Sequence, residues 1–358
     1  MKDVLKIAGA FIGFIVGAGF ASGQELLQFF VSFGVWGLLG TILSSVVFIV
    51  MGMTLASYGS KLKATSHKQV VNEICGKWLC NPVDALMTFF MFAIAVVMVA
   101  GSGSLLQQQF GLPTTYGGVA TILLTILATW LKPERVIGLI SLITPLLIVV
   151  AAVIGFYAIF TKSSDLSTLS SIAQEQPKAA SNWFLAALLY VSYNIFACVA
   201  ILAIAGGSIS SPKKAALGGL VGGLVLGALM FLISLAMLSK IGVAAQASMP
   251  MLSLASDISP ALSLALSVVI ILMIFNTAVG SLYSFSSRLI TPNTPRFKVA
   301  TLVFGIAAYA GSTLGFIKLV GLVYPFFGYI GFVLMASITW AWMKQRKANV
   351  SASTIMPE

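Results

Sequence analysis

Ten apolar runs, eight of them longer than twenty residues, constrain this sequence more than any motif in it. At 1.5 Å of rise per residue, about 20 apolar residues cross a hydrocarbon core. The runs lie at about 4–30, 34–58, 82–110, 115–131, 136–161, 182–206, 215–239, 259–287, 297–312 and 316–343. Strands of a membrane β-barrel would be about ten residues long, with alternating polarity. The reading is therefore an all-α polytopic membrane protein. Charged residues make up only 8% of the chain, against about 25% in an ordinary soluble domain. The first run is too long for a signal-peptide core and has no small-residue processing site, so no cleavable signal is expected.

The formal net charge of +11 suggests a nucleic-acid partner until its distribution is read. With the N-terminus placed in the cytoplasm, sixteen of the twenty basic residues fall in cytoplasmic connections, and Lys162, Lys178, Lys240 and Lys318 fall outside. That bias is the positive-inside pattern. It supports an even number of spans, both termini cytoplasmic, an inner (plasma) membrane location and a lipid bilayer, not nucleic acid, as the surrounding partner. Cys75, Cys80 and Cys198 have no disulfide or zinc spacing, and the single histidine, His67, has no ligand cluster in sequence. Neither catalysis nor a cofactor is expected, and nothing in the sequence fixes an oligomeric state.

The connections are short. Residues 60–80 carry Gln69, Val70, Val71, Ile74 and Trp78 at near-helical spacing, which reads as an amphipathic helix along the cytoplasmic interface. Residues 162–181 read as an outer loop, and 344–358 as a polar cytoplasmic tail without regular structure. Residues 1–343 form one transmembrane domain.

An internal repeat divides that domain. Val136–Pro145 and Phe316–Pro325 match in aliphatic phase, and their prolines are 180 positions apart. Five spans per half is odd, so the second half, about 182–343, enters the membrane in the opposite sense to the first, about 4–161. Inverted repeats of this kind characterise secondary transporters, whose sites form where helices break at mid-membrane.

The first span has such a stretch, Gly13-Phe-Ile-Val16-Gly17-Ala18-Gly19-Phe20-Ala-Ser-Gly23-Gln-Glu25. Each of its four glycines costs a helix interior up to about 1 kcal/mol relative to Ala. One reading is a break at Val16 to Gly19 whose freed backbone faces a cavity. The other is close helix packing through the pairs Gly13/Gly17 and Gly19/Gly23. The repeat predicts a matching break in the sixth span, where Tyr190, Ser192, Tyr193 and Asn194 form a polar-aromatic cluster. Those polar groups either meet a solute or bond between helices.

Ten helices in a 5+5 inverted repeat, with helices 1 and 6 discontinuous, resemble the LeuT fold of the amino acid–polyamine–organocation superfamily. Within it, Gly17-Ala-Gly-Phe-Ala-Ser-Gly-Gln-Glu25 resembles the YkvI-type family of amino-acid permeases. Gly13-Phe-Ile-Val16-Gly17-Ala-Gly19 is similar to the Gly-x-x-Val-Gly-x-Gly pattern of sodium-coupled relatives. The family departs from eleven- and twelve-helix relatives by ending after helix 10.

The resemblance implies a small-molecule substrate bound around Gly17, Ala18, Gly19, Phe20, Tyr190, Ser192, Tyr193, Asn194 and Phe275. A half-helix beginning at the break would turn N–H groups and its positive dipole end toward an anionic group. A half-helix ending there would turn carbonyls of Gly13 and Val16 toward a hard cation such as sodium. In the LeuT fold helix 8 completes that site, which implies Met273, Asn276 and Thr277, or in another register Thr277, Gly280 and Ser281. Asn276 departs from the Ser or Thr of relatives, and the Thr277 hydroxyl can alternatively bond one turn back along its own helix.

Glu25 is the one acid within the first hydrophobic span. About 21 residues from Val4, it would stand roughly 30 Å along a straight helix. That places it near an outer vestibule, as a gate or structural group, with proton coupling the alternative. Gly101 to Ser104 and Gln107 to Gln109 are candidates for the outward path or for packing, and Asp84 and Asp257 read as interfacial. The function expected is secondary symport of a small amino acid or related amine-bearing solute, with sodium as the coupling ion. The alternatives are a proton-coupled permease using Glu25 and a transporter-like sensor that binds without translocating.

Overall fold

In a computed structural model, which describes residues 1–131, 140–161 and 165–355, the first span is broken twice. Helix α1 (Lys2–Ile15) ends in an inverse γ-turn at Val16, with φ −75° and ψ 65°. The Gly17 N–H donates to Ile15 O at 2.7 Å, and Gly17 itself is extended. Helix α2 (Ala18–Ser22) is only five residues long. It stops at Gly23, whose φ of 80° is left-handed and suits a residue without Cβ. Helix α3 (Gln24–Phe29) follows. The break is narrower than Val16 to Gly19, since Ala18 and Gly19 are already helical. The second break, at Gly23, was not anticipated.

A 3₁₀ turn (Val31–Phe33) leads to α4 (Val35–Leu62), α5 (His67–Phe110) and α6 (Thr114–Trp130). Then come α7 (Ile140–Phe160), α8 (Leu166–Gln174), α9 (Trp183–Gly207) and α10 (Pro212–Ser239). The chain ends with α11 (Ile241–Ala244), α12 (Pro250–Ile258), α13 (Pro260–Leu289), α14 (Pro295–Ser312) and α15 (Phe316–Ile355). Local sequence sets several starts. Ser211, Ser259 and Thr294 each cap a helix through the side-chain oxygen, and a proline at the first helical position follows. Ser66 and Gln69 form a capping box. Among the described residues, seven helices are long and apolar enough to cross a membrane.

Several expectations change. Helix α9, the sixth span, is continuous from Trp183 to Gly207, not broken. It contains no glycine or proline before Gly206, and its Ser192 and Asn194 side chains already have backbone partners. Asn194 Nδ2 donates to Tyr190 O at 2.9 Å, and Ser192 Oγ donates to Gly328 O on α15 at 2.7 Å. The helix of residues 60–80 exists, but it bends into the third span at Gly76 (φ 76°). Its Val70 and Val71 are buried, while Trp78, 95% exposed, points elsewhere. The outer loop contains the helix α8. The tail is helical through Ile355, because 344–355 has no glycine or proline to stop α15. Residues 136–139 of the repeat comparison, and Lys132, Arg135 and Lys162 of the charge count, lie outside the described residues.

The helices pack in two groups. In one, α4 lies along α10 and α9, and α1 lies along α10. The backbones approach closely: a Cβ at Gly219 would fall on the backbone of Gly52, and one at Gly206 on that of Ala56. In the other group α5 runs beside α13 and α6, and α14 packs on α5 and α6. Ser102 Oγ reaches Gly117 O at 3.1 Å, and Trp130 Nε1 donates to Thr301 at 2.7 Å. Gly101 and Gly103 likewise pack against Phe316 and Thr114, so this stretch of α5 serves packing, not a solute path. Asp84 joins Arg288 and His67, both at 2.8 Å, and Lys68 at 3.0 Å. His67 therefore has a partner that its sequence neighbourhood did not suggest.

Candidate functional site

A cavity of about 770 Å³ lies between the two groups, against the break in the first span. Its wall takes Gly13, Gly17, Ala18 and Gly19 from the first span. From α13 it takes Met273, Asn276, Thr277, Gly280 and Ser281. Tyr193 and Asn194 of α9 and Glu25 of α3 complete the expected residues there. A Cβ at Gly9, Gly13 or Gly280 would meet nothing within 4 Å, so α1 and α13 stand apart on this side. Gly13 is thus not a packing glycine. Because the Gly17 N–H turns to Ile15 O, the Gly13 carbonyl loses its helical donor. Asn276 is 7% exposed, and its Oδ1 has no hydrogen-bond partner. A buried acceptor left open costs about 1–3 kcal/mol.

Glu25 stands in this wall, 6% exposed, and not in an outer vestibule. The straight-helix distance fails because the chain turns at Val16–Gly17 and again at Gly23. Glu25 Oε2 accepts from the Tyr193 hydroxyl at 2.7 Å. Its other oxygen lies over Gly19, where any Cβ would overlap the carboxylate. Tyr193 stacks on Tyr324 of α15 with centroids 4.8 Å apart and planes at 8°. Phe90 of α5 meets Tyr193 edge-on at 6.4 Å.

Other expected site residues lie elsewhere. Phe20 and Val16 border a separate small void with Leu147, Leu229 and Met251. Tyr190 is fully buried among Phe29, Phe30 and Phe48. Ser192 faces α15, and Phe275 is outside the cavity wall. None of Phe20, Tyr190, Ser192, Phe275 and Val16 forms part of the cavity wall.

Sequence reasoning missed Thr144 and Tyr324, both in the wall. The signal was present, since each immediately precedes one of the two prolines of the sequence comparison, Pro145 and Pro325.

Polar clamps tie distant parts of the chain together outside the cavity wall. Gln28 Nε2 donates to Ile317 O at 2.9 Å, and the Gln28 backbone carbonyl accepts from Ala179 N at 3.0 Å. Gln108, expected on an outward path, instead holds Met249 before α12 through two hydrogen bonds of 3.1 and 2.9 Å. Towards the end of the molecule bearing Met1 and Arg288, Gly9 and Ser284 continue the wall.

No family model matches the sequence. The uncharacterized membrane protein YkvI of Bacillus subtilis (strain 168) is 25% identical over 333 residues, 93% of this chain and 94% of the relative. The uncharacterized protein YyaD of the same organism is 28% identical over 339 residues, 94% and 95% respectively. Among solved structures, MhsT in complex with L-phenylalanine superposes with a TM-score of 0.63 at 12% identity, over 93% of this chain and 87% of that one. A Na⁺-coupled sialic acid symporter, substrate-bound and outward-open, gives 0.56 at 17% identity over 94% and 78%. Mhp1 in its inward-facing conformation gives 0.55 at 14% identity over 92% and 73%. The chain is an all-helical membrane protein with the fold of the LeuT-type transporters, and its homologues are YkvI and YyaD.

Proposed function

We propose that this protein is a secondary active transporter that carries a small amino acid or related amine-bearing solute together with sodium. The observation that carries the reading is the broken first span, which lends backbone to a cavity lying between two separately packed helix groups. Rocking of the α1–α4–α9–α10 group against α5, α6, α13 and α14 would expose that cavity to each side in turn. Its open flank, between α1 and α13, faces the cytoplasm if the basic residues set the topology.

Gly13 O, Asn276 Oδ1, the Thr277 hydroxyl and Met273 O supply neutral oxygens, which fit a monovalent hard cation. Gly17, Ala18 and Gly19, with Tyr193 and Asn194, border the solute. Sodium would drive transport by binding one conformation better than the other. The test is tracer uptake into vesicles holding the purified protein. Equal uptake when potassium replaces sodium at fixed pH overturns sodium coupling. Thr277→Ala is expected to abolish sodium-dependent uptake in folded protein.

A second reading is favoured by the position of Glu25, a carboxylate in the cavity wall. There it would carry a coupling proton. Glu25→Gln protein that retains uptake driven by a pH gradient discards it. A solute that binds without any tracer flux identifies a sensor instead.

A further inference from the structure

We propose that Glu25 is the counter-charge for an organic ammonium group, and that the cavity selects small amines lacking a carboxylate over zwitterionic amino acids. The proposal rests on the transport reading for the location of the site and narrows its solute class. Among the described residues of the wall, Glu25 is the only charged side chain, with no lysine, arginine or histidine to receive a carboxylate. Three aromatic rings frame it: Phe90, Tyr193 and Tyr324, with Tyr193 and Tyr324 stacked at 4.8 Å. A carboxylate set among aromatic faces suits an ammonium, whose charge is attracted by both.

An ammonium only donates, and an ionised Glu25 carboxylate only accepts, with the Tyr193 hydroxyl taking one of its two oxygens. Of the Asn194 amide, a potential donor to a solute carboxylate, one of the two N–H groups is already taken by Tyr190 O. Helix α2 is too short to present a summed dipole to an anion. A solute carboxylate would therefore enter beside Glu25 with no fixed cation to offset the repulsion. Gly19 keeps the carboxylate in place, because a side chain there would occupy the same volume.

The experiment is calorimetric titration and thermal denaturation of the purified full chain, in sodium at one neutral pH, with two matched probe sets. One set is phenethylamine, L-phenylalanine and hydrocinnamate; the other is isoamylamine, L-leucine and isocaproate. At least one amine is expected to bind about tenfold or more tightly than its amino acid, with neither acid binding. Glu25→Gln should weaken that amine about tenfold or more, and Glu25→Asp should restore part of the loss. If Glu25→Gln yields no folded protein, the comparison of probes on the unaltered chain and on Glu25→Asp decides. Amino acids binding as tightly as their amines, no binding by either amine, or unchanged binding in folded Glu25→Gln each overturns the proposal. Amine binding without flux would remove the transport reading and leave this one; flux of an amino acid whose amine is excluded would do the reverse.

Discussion

The Tyr193 hydroxyl donates to Glu25 Oε2 at 2.7 Å, joining the continuous sixth-span helix to the short helix beyond the second break in the first span. The bond orients the one carboxylate in the cavity wall. Tyr193→Phe removes the donor and keeps the ring stacked on Tyr324. Loss of a hydrogen bond to a buried carboxyl group costs about 1–3 kcal/mol. The expected outcome is a lower melting temperature in detergent together with weaker solute binding. Unchanged stability and unchanged binding would mean that the bond does not hold Glu25 in place.

Gly19→Ala separates site geometry from helix propensity. Alanine favours a helix over glycine by up to about 1 kcal/mol, so propensity alone predicts a more stable α2. The Cβ, however, would lie within the Glu25 carboxylate. Uptake in vesicles should fall about tenfold or more, corresponding to about 1.4 kcal/mol of lost interaction. Gly9→Ala is the control, since its Cβ meets nothing within 4 Å. Equal uptake by the two variants would show that the carboxylate has no fixed place.

Asn276→Leu is expected to raise the melting temperature of the ion-free protein. The substitution removes an acceptor that is buried and without a partner, and relief of that penalty is about 1–3 kcal/mol. It should also remove any stabilisation by added sodium, because a ligand stabilises only the fold that binds it. Thermal scans with sodium and with potassium check both effects. A variant still stabilised by sodium as strongly as the parent would exclude Asn276 as a ligand.

Most of the long helices were legible because the length of an apolar run is a long and redundant signal. The break at Val16–Gly17 was legible because four glycines crowd one apolar run. Its depth was not, since Gly23 reads as a packing glycine until its left-handed turn is seen. That single turn moves Glu25 from an outer vestibule into the cavity. The sixth span misled for a different reason. Symmetry suggested a break, but Asn194 and Ser192 find backbone acceptors one turn away and on α15, so the helix has no cause to open. Phe20 and Tyr190 were misplaced because a helical face is set by packing, and one face of a mostly apolar helix looks like another in sequence.

Glycine has two uses in this chain, and a pair of substitutions distinguishes them. At Gly219 on α10, a Cβ would fall on the backbone of Gly52, so even alanine forces α4 and α10 apart. Overpacking of this kind costs about 1–3 kcal/mol, against the gain of up to about 1 kcal/mol in helix propensity. Gly219→Ala should therefore lower thermal stability. At Gly13 nothing stands within 4 Å, so Gly13→Ala keeps only the propensity gain and should leave stability equal or higher. Its backbone carbonyl, the proposed sodium ligand, is untouched, and sodium-dependent uptake should persist unless the methyl group crowds the solute. Melting temperatures of both proteins in one detergent decide the matter. A destabilised Gly13→Ala beside a neutral Gly219→Ala would reverse the assignment and make the first-span glycine the packing residue.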